Sequence, residues 1–127
     1  MTWDVEVTDE FEAWWATQTE GTQGAIDAVV QVLEALGPQL PHPYSSDVKG
    51  SRYGQMRELR VQYKGEPYRI LYAFDPRRTA ILLIGGNKGG DKRWYETHVP
   101  LADQLYAEHL ATLEREAKEG TEHGKKI

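Results

Sequence analysis

Residues 56–85 read MRELRVQYKGEPYRILYAFDPRRTAILLIG, and this stretch divides into three strand-like runs separated by two turns. β-branched, aromatic and aliphatic residues dominate 56–62, 67–74 and 79–85, which predicts a three-stranded meander. Lys64-Gly65-Glu66 reverses the first pair. Asp75-Pro76-Arg77-Arg78 reverses the second, with Asp at the first turn position and Pro at the next, a favoured type I arrangement. The third run, Ala80-Ile81-Leu82-Leu83-Ile84, is apolar on both faces and predicts an inner strand, placed beside the N-terminal one.

Upstream, Trp3, Val5 and Val7 alternate with Asp4 and Glu6, the period of a half-buried strand over residues 3–7. Thr8 is placed to cap a helix with Asp9 and Glu10 in its first turn and Phe11, Trp14 and Trp15 on one face. After Gly21 and Gly24, the series Ile26, Val29, Val30, Leu33, Leu36 follows a helical period until Gly37-Pro38 stops it. Residues 39–54 are rich in Pro, Ser and Gly and read as loop. Downstream, Leu101, Leu105, Tyr106, Leu110 and Leu113 predict a last helix over 100–118, followed by a polar stretch, 119–127, that has nothing to bury and is expected to be disordered. The expected fold is therefore α+β. Residues 1–118 form one domain: a small, twisted, mainly antiparallel sheet of the N-terminal strand plus the meander, packed against an antiparallel pair of N-terminal helices, with a C-terminal helix.

A chain of 127 residues can bury a core without staples, and this one has no cysteine. Disulfides, thiolate metal sites and cysteine nucleophiles are thereby excluded. No apolar run approaches the ~20 residues of a membrane span, and the start lacks a basic, apolar leader. A soluble, cytoplasmic protein is expected.

The net charge of −5 hides a strong asymmetry: residues 1–48 carry nine acids and no Lys or Arg, whereas 49–95 carry eleven bases against four acids. Such a density of cations, interleaved with Tyr and Trp, suits a polyanion. Strand alternation decides which of them share a face. Leu59 and Val61 point one way, so Glu58, Arg60 and Gln62 point the other; Ile70, Tyr72 and Phe74 leave Arg69, Leu71 and Ala73 opposite. Arg60 and Arg69 are thus expected together on an open face, with a mobile loop over 85–95 bringing Lys88, Lys92, Arg93, Trp94 and Tyr95 to its rim.

Gly85-Gly86-Asn87-Lys88-Gly89-Gly90 is like a phosphate cradle, yet it misses the Walker spacing and no Ser or Thr follows its lysine. His42, His98, His109 and His123 never fall at a ligand spacing, so no metal centre is expected, and His109 reads as a surface residue. Trp3, Trp14 and Trp15 belong to apolar faces. Trp94 belongs to none, which marks it as an aromatic free for a ligand.

The order strand, two helices, basic meander, together with Met56-Arg57-Glu58-Leu59-Arg60, Tyr68-Arg69-Ile70-Leu71-Tyr72-Ala73-Phe74 and the segment from Leu82 to Glu96, resembles the RelE/ParE toxin superfamily, closest to its HigB-like, phage Gp49-like branch. The resemblance spans about residues 3–113. It implies a type II toxin that cuts mRNA on the ribosome without metal or other cofactor, leaving 2′,3′-cyclic phosphate ends, and that is neutralised by a cognate antitoxin carrying a helix-turn-helix domain. A ParE-like inhibitor of DNA gyrase, which cuts nothing, is the alternative. Carried onto this sequence, the resemblance implies catalytic roles for Arg60, Arg69, Lys88, Lys92, Arg93 and Tyr95: Arg69 and Arg93 on the phosphorane, Lys88 or Lys92 as proton handlers. Lys49, Arg52, Arg57 and Trp94 are expected to hold RNA. The chain departs from many such toxins in being acidic overall, and no histidine in the meander offers a conventional base.

Overall fold

The computed structural model describes residues 2–119. Its elements are β1 (Val5–Val7), α1 (Asp9–Ala16), α2 (Glu20–Leu36), a short 3-10 turn (Gly37–Gln39), β2 (Ser45–Asp47), β3 (Arg57–Tyr63), β4 (Glu66–Phe74), β5 (Ala80–Asn87) and α3 (Trp94–Glu119). The five strands form one sheet in the order β1-β5-β4-β3-β2, antiparallel except for the parallel pairing of β1 with β5. This is the α+β fold expected, with β5 inside the sheet next to β1, and with one strand more than the sequence suggested.

The turns explain the meander's register. Lys64 (φ 50°) and Gly65 (φ 79°) both take left-handed conformations between paired Tyr63 and Glu66, the two-residue hairpin turn whose twist suits adjoining strands. At the second turn the Asp75 carboxylate accepts from the backbone N–H of Arg77 (2.8 Å) and of Thr79 (3.2 Å), and Arg78 takes the left-handed position (φ 65°).

Alternation along the strands builds two cores. Leu59, Val61, Ile70, Tyr72 and Leu82 face α1 and α2, where they meet Phe11, Ile26, Val30 and Leu33. Leu71, Ala73, Ile81 and Leu83 face α3, where they meet Trp94, Val99, Ala102, Leu105 and Tyr106. Each fully buried aliphatic chain contributes roughly 1.5–3 kcal/mol of transfer free energy. Thr8 and Thr19 cap α1 and α2 through their hydroxyls, accepting from the N–H of Phe11 (3.0 Å) and Thr22 (3.2 Å).

Three boundaries differ from expectation for visible reasons. Helix α2 starts at Glu20, ahead of Gly21 and Gly24, because Thr19 caps it and Thr22 is already buried. The 39–54 stretch contains β2, whose sequence Ser45-Ser46-Asp47 has no apolar alternation; it is held by its ladder with β3 and by side-chain hydroxyls. Helix α3 starts at Trp94 and takes Pro100 inside it, since burying Trp94 and Val99 extends the helix upstream while exposed Pro100 faces solvent. Of the expected 119–127 tail, Glu119 ends α3 and the rest lies outside the described residues. Among the described residues no helix is long and apolar enough to cross a membrane.

Candidate active site

Helix α3 changes the picture of an open basic face. It lies along β4 and β5, so the face shared by Arg60 and Arg69 is covered over much of its area and reaches solvent at the β3 margin. The two arginines are direct cross-strand partners, as alternation requires. Between them and the start of α3 sits Glu58, which is 5% exposed.

Glu58 is the hub of the cluster. Its Oε1 accepts from the Tyr95 hydroxyl (2.6 Å) and lies 3.7 Å from Arg69 Nε. Its Oε2 accepts from the Ser46 hydroxyl (2.5 Å) and from Arg60 Nη1 (3.3 Å). A buried carboxylate needs such partners to stay ionised. Arg69, also 5% exposed, donates from Nη1 to the Tyr68 carbonyl (3.0 Å), while its Nε is a buried donor with no hydrogen-bond acceptor among the described residues. Burial raises the Tyr95 pKa, and the Glu58 charge at its hydroxyl raises it further, so the phenol stays protonated and keeps donating. Lys88 Nζ stands 6.0 Å from the centre of the Tyr95 ring. Arg60, Lys88 and Tyr95 are half-buried, and through them the cluster opens to the surface.

Two glycines let α1 and α3 seat closely on β5. Gly85 and Gly86 are the end of β5, not a flexible cradle: a methyl on Gly85 would collide with Trp14 of α1, and one on Gly86 with Trp94 of α3. Trp94 packs flat on His98, with ring centres 4.2 Å apart.

Four of the expected catalytic residues, Arg60, Arg69, Lys88 and Tyr95, therefore come together. Lys92 and Arg93 are exposed on the segment before α3, and among the described residues no side-chain bond ties them to Glu58. The expected RNA-binding set fares less well. Trp94 is 2% exposed, because the first turn of α3 docks on β5, and a buried ring has no face for a base. Arg57 alternates onto the opposite face, where its Nε donates to Ser45 (2.9 Å) and its guanidinium pairs with Asp47. Lys49 and Arg52 are exposed on the β2–β3 connection, which crosses onto the α3 face and is tied down by Asp103, acceptor of Ser51 Oγ (2.5 Å) and Arg52 N (2.9 Å). The cluster is thus built on two arginines and a carboxylate, with Lys88 at its margin.

Three other basic residues are engaged within the fold. Arg77 bridges Asp75 (2.7 Å) and Glu6 (2.8 Å), and Arg78 lies over Trp3. His109 is not a surface residue; its Nε2 donates to Asp75 (2.9 Å). Burial pushes the Asp75 carboxyl up, but the bonds from His109 and Arg77 outweigh it and hold the pKa at about 2. A cavity of about 350 Å³ opens beside this network, between α1 and α3. Glu6, Asp9, Glu10 and Glu108 line it, so it repels phosphate and is distinct from the Glu58 site.

Glu58 and Ser46 are the functional candidates missed by sequence reasoning. Alternation had placed Glu58 beside Arg60, and a lone acid on a basic strand face was the available signal. Ser46 gave none.

With this fold and cluster in view, family membership follows: the chain belongs to the family described as Phage derived protein Gp49-like, which matches residues 13–107. Among its relatives in Mycobacterium tuberculosis are HigB2, 41% identical over 114 residues, and HigB3, 39% identical over 104, both named as candidate toxins. The matched regions take in 88% and 81% of this chain; they span 56% of HigB2, about half its length, and 90% of HigB3.

Proposed function

We propose that this protein is the toxin of a type II toxin-antitoxin pair, a HigB-like endoribonuclease that cleaves mRNA on the ribosome and is neutralised by its cognate antitoxin. The family and its candidate toxins support the toxin class. The observation that supports cleavage is Glu58, held by Tyr95 and Ser46 beside the buried guanidinium of Arg69.

Cleavage of this kind needs a base, anion stabilisation and an acid. Glu58 takes the proton of the ribose 2′-hydroxyl, whose oxygen attacks the adjacent phosphorus. Arg69 and Arg60 hold the phosphorane oxygens with their guanidinium forks. The bond from phosphorus to the 5′-oxygen breaks, Lys88 returns a proton to that oxygen, and a 2′,3′-cyclic phosphate remains. Tyr95 fixes Glu58 and stays a donor. Lys92, Arg93, Lys49 and Arg52, all exposed, supply salt-sensitive attraction to ribosome and message.

Primer extension on mRNA after induction, run beside a plasmid supercoiling assay, tests the reading. New 5′ ends inside translated frames are expected. Lost supercoiling with intact message would instead assign the chain to gyrase inhibition.

A further inference from the structure

Helix α3 carries a buried carboxylate that takes no part in the steps above. Asp103, further along the helix from Tyr95, is 5% exposed. Its Oδ1 accepts from the Ser51 hydroxyl (2.5 Å) and its Oδ2 from the backbone N–H of Arg52 (2.9 Å). The Ser51 oxygen accepts in turn from the N–H of Tyr53 (3.0 Å). Both carboxylate oxygens are therefore engaged by the connection from β2 to β3, in bonds of the stronger, charge-assisted kind. On either side of the clasp, Val48 and Tyr53 pack against the core beneath α3, with the Tyr53 ring edge-on to Tyr106 at 4.8 Å between centres.

We propose that Asp103 is a positioning residue for the cleavage: by clasping the β2–β3 connection to α3, it holds Ser46 against Glu58. The proposal rests on the RNA-cleavage reading and deepens it. The clasped connection joins the two strands that carry the bond in question, since Ser46 and Glu58 are cross-strand partners and the Ser46 hydroxyl donates to Glu58 Oε2 at 2.5 Å. Strand β2 is an edge strand of three residues, Ser45–Asp47, with no apolar side chain to bury, the kind of element that opens locally unless it is tied down. Its start is anchored by Ser45 on the Tyr72 hydroxyl (2.7 Å). Its end has the surface pair of Asp47 with Arg57, a weak restraint, and beyond that the Asp103 clasp. Helix α3 thus reaches both oxygens of Glu58: Oε1 directly through Tyr95 (2.6 Å), and Oε2 through Asp103, the connection and Ser46.

The test is a double-mutant cycle on ribosomes programmed with a defined message, read as the cleavage rate at saturating protein for wild type, Asp103→Ala, Ser46→Ala and the double variant. Asp103→Ala should cut roughly five- to tenfold more slowly, approaching the loss of one hydrogen bond to a charged group, and should move the pH profile in the same direction as Ser46→Ala. Tyr95, Arg60 and Arg69, the other groups facing Glu58, are the same in every variant. In the Ser46→Ala background the Asp103 change should alter the rate by less than about twofold. Ser51→Ala removes one of the two clasping bonds and should show the same pattern at smaller size; it decides the matter if thermal melting shows that Asp103→Ala does not fold. Undiminished rates in both clasp variants would overturn the proposal. So would an unshifted pH profile, or a full loss from Asp103→Ala in the Ser46→Ala background, either of which would leave Asp103 a residue of the fold alone. If wild type leaves the message uncut, the cleavage reading falls and takes this proposal with it, an outcome distinguishable from the others.

Discussion

The Tyr95 hydroxyl donates to Glu58 Oε1 over 2.6 Å, joining the first turn of α3 to the second residue of β3. The bond ties the Glu58 cluster on the sheet to the seating of the helix. It also gives Glu58 a fixed direction toward Arg69.

If Glu58 is the base, Glu58→Gln keeps the shape of the cluster and removes the proton acceptor. Ribosome-dependent cleavage should fall by about 10²–10⁴-fold while antitoxin binding is retained. Cleavage rates on programmed ribosomes, with a pull-down of the antitoxin as fold control, check this.

Arg69 has a structural and a proposed catalytic part. Arg69→Lys keeps a positive charge against Glu58 but loses the planar fork, so cleavage should drop well beyond tenfold with stability nearly kept. Arg69→Ala removes a partner from a buried carboxylate and should cost about 1–3 kcal/mol on unfolding in denaturant.

Ser46 holds Glu58 Oε2 at 2.5 Å, so it acts through that carboxylate. Ser46→Ala should slow cleavage by about tenfold, the worth of one hydrogen bond to a charged group, and shift its pH profile; Ser46→Thr should restore both. An unshifted profile would reduce Ser46 to a strand residue.

How far these residues could be read from the sequence differs by type. Strand alternation alone put Arg60, Arg69 and Glu58 on one face, and the turn chemistry of Lys64-Gly65 and Asp75-Pro76 marked the meander's ends. Hidden from it was the position of α3, because Trp94 lies before the apolar series that marks the helix and its partner surface is Gly86, which shows no hydrophobic signal. That placement buries Trp94 and gives Tyr95 its carboxylate. Charge counting likewise could not reveal that Arg57 and Arg77 spend their charge on Asp47, Asp75 and Glu6.

The Asp75 network makes a prediction about pH. Its carboxyl titrates at about 2 when folded against an ordinary 3.8, so the folded pKa is the lower one. Its stabilisation is complete above 3.8 and disappears as pH falls through about 2. Asp75→Asn should lower stability at neutral pH by about 2 kcal/mol and flatten the loss of stability in acid, as denaturant titrations at several pH values will read.

Gly86 offers a mutation away from the reacting groups. Gly86→Ala places a methyl against Trp94 and should destabilise by about 1–3 kcal/mol, with a loss of cleavage as Tyr95 moves off Glu58. Thermal melting and cleavage rates together check it.

The central claim is that Glu58 and Arg69 cut RNA by 2′-hydroxyl attack, and the ends of the product report on it directly. Wild-type protein with programmed ribosomes should yield 5′ fragments ending in a 2′,3′-cyclic phosphate, and Glu58→Gln should yield almost none. Fragments ending in a free 3′-hydroxyl, or equal yields from the two proteins, would contradict the account.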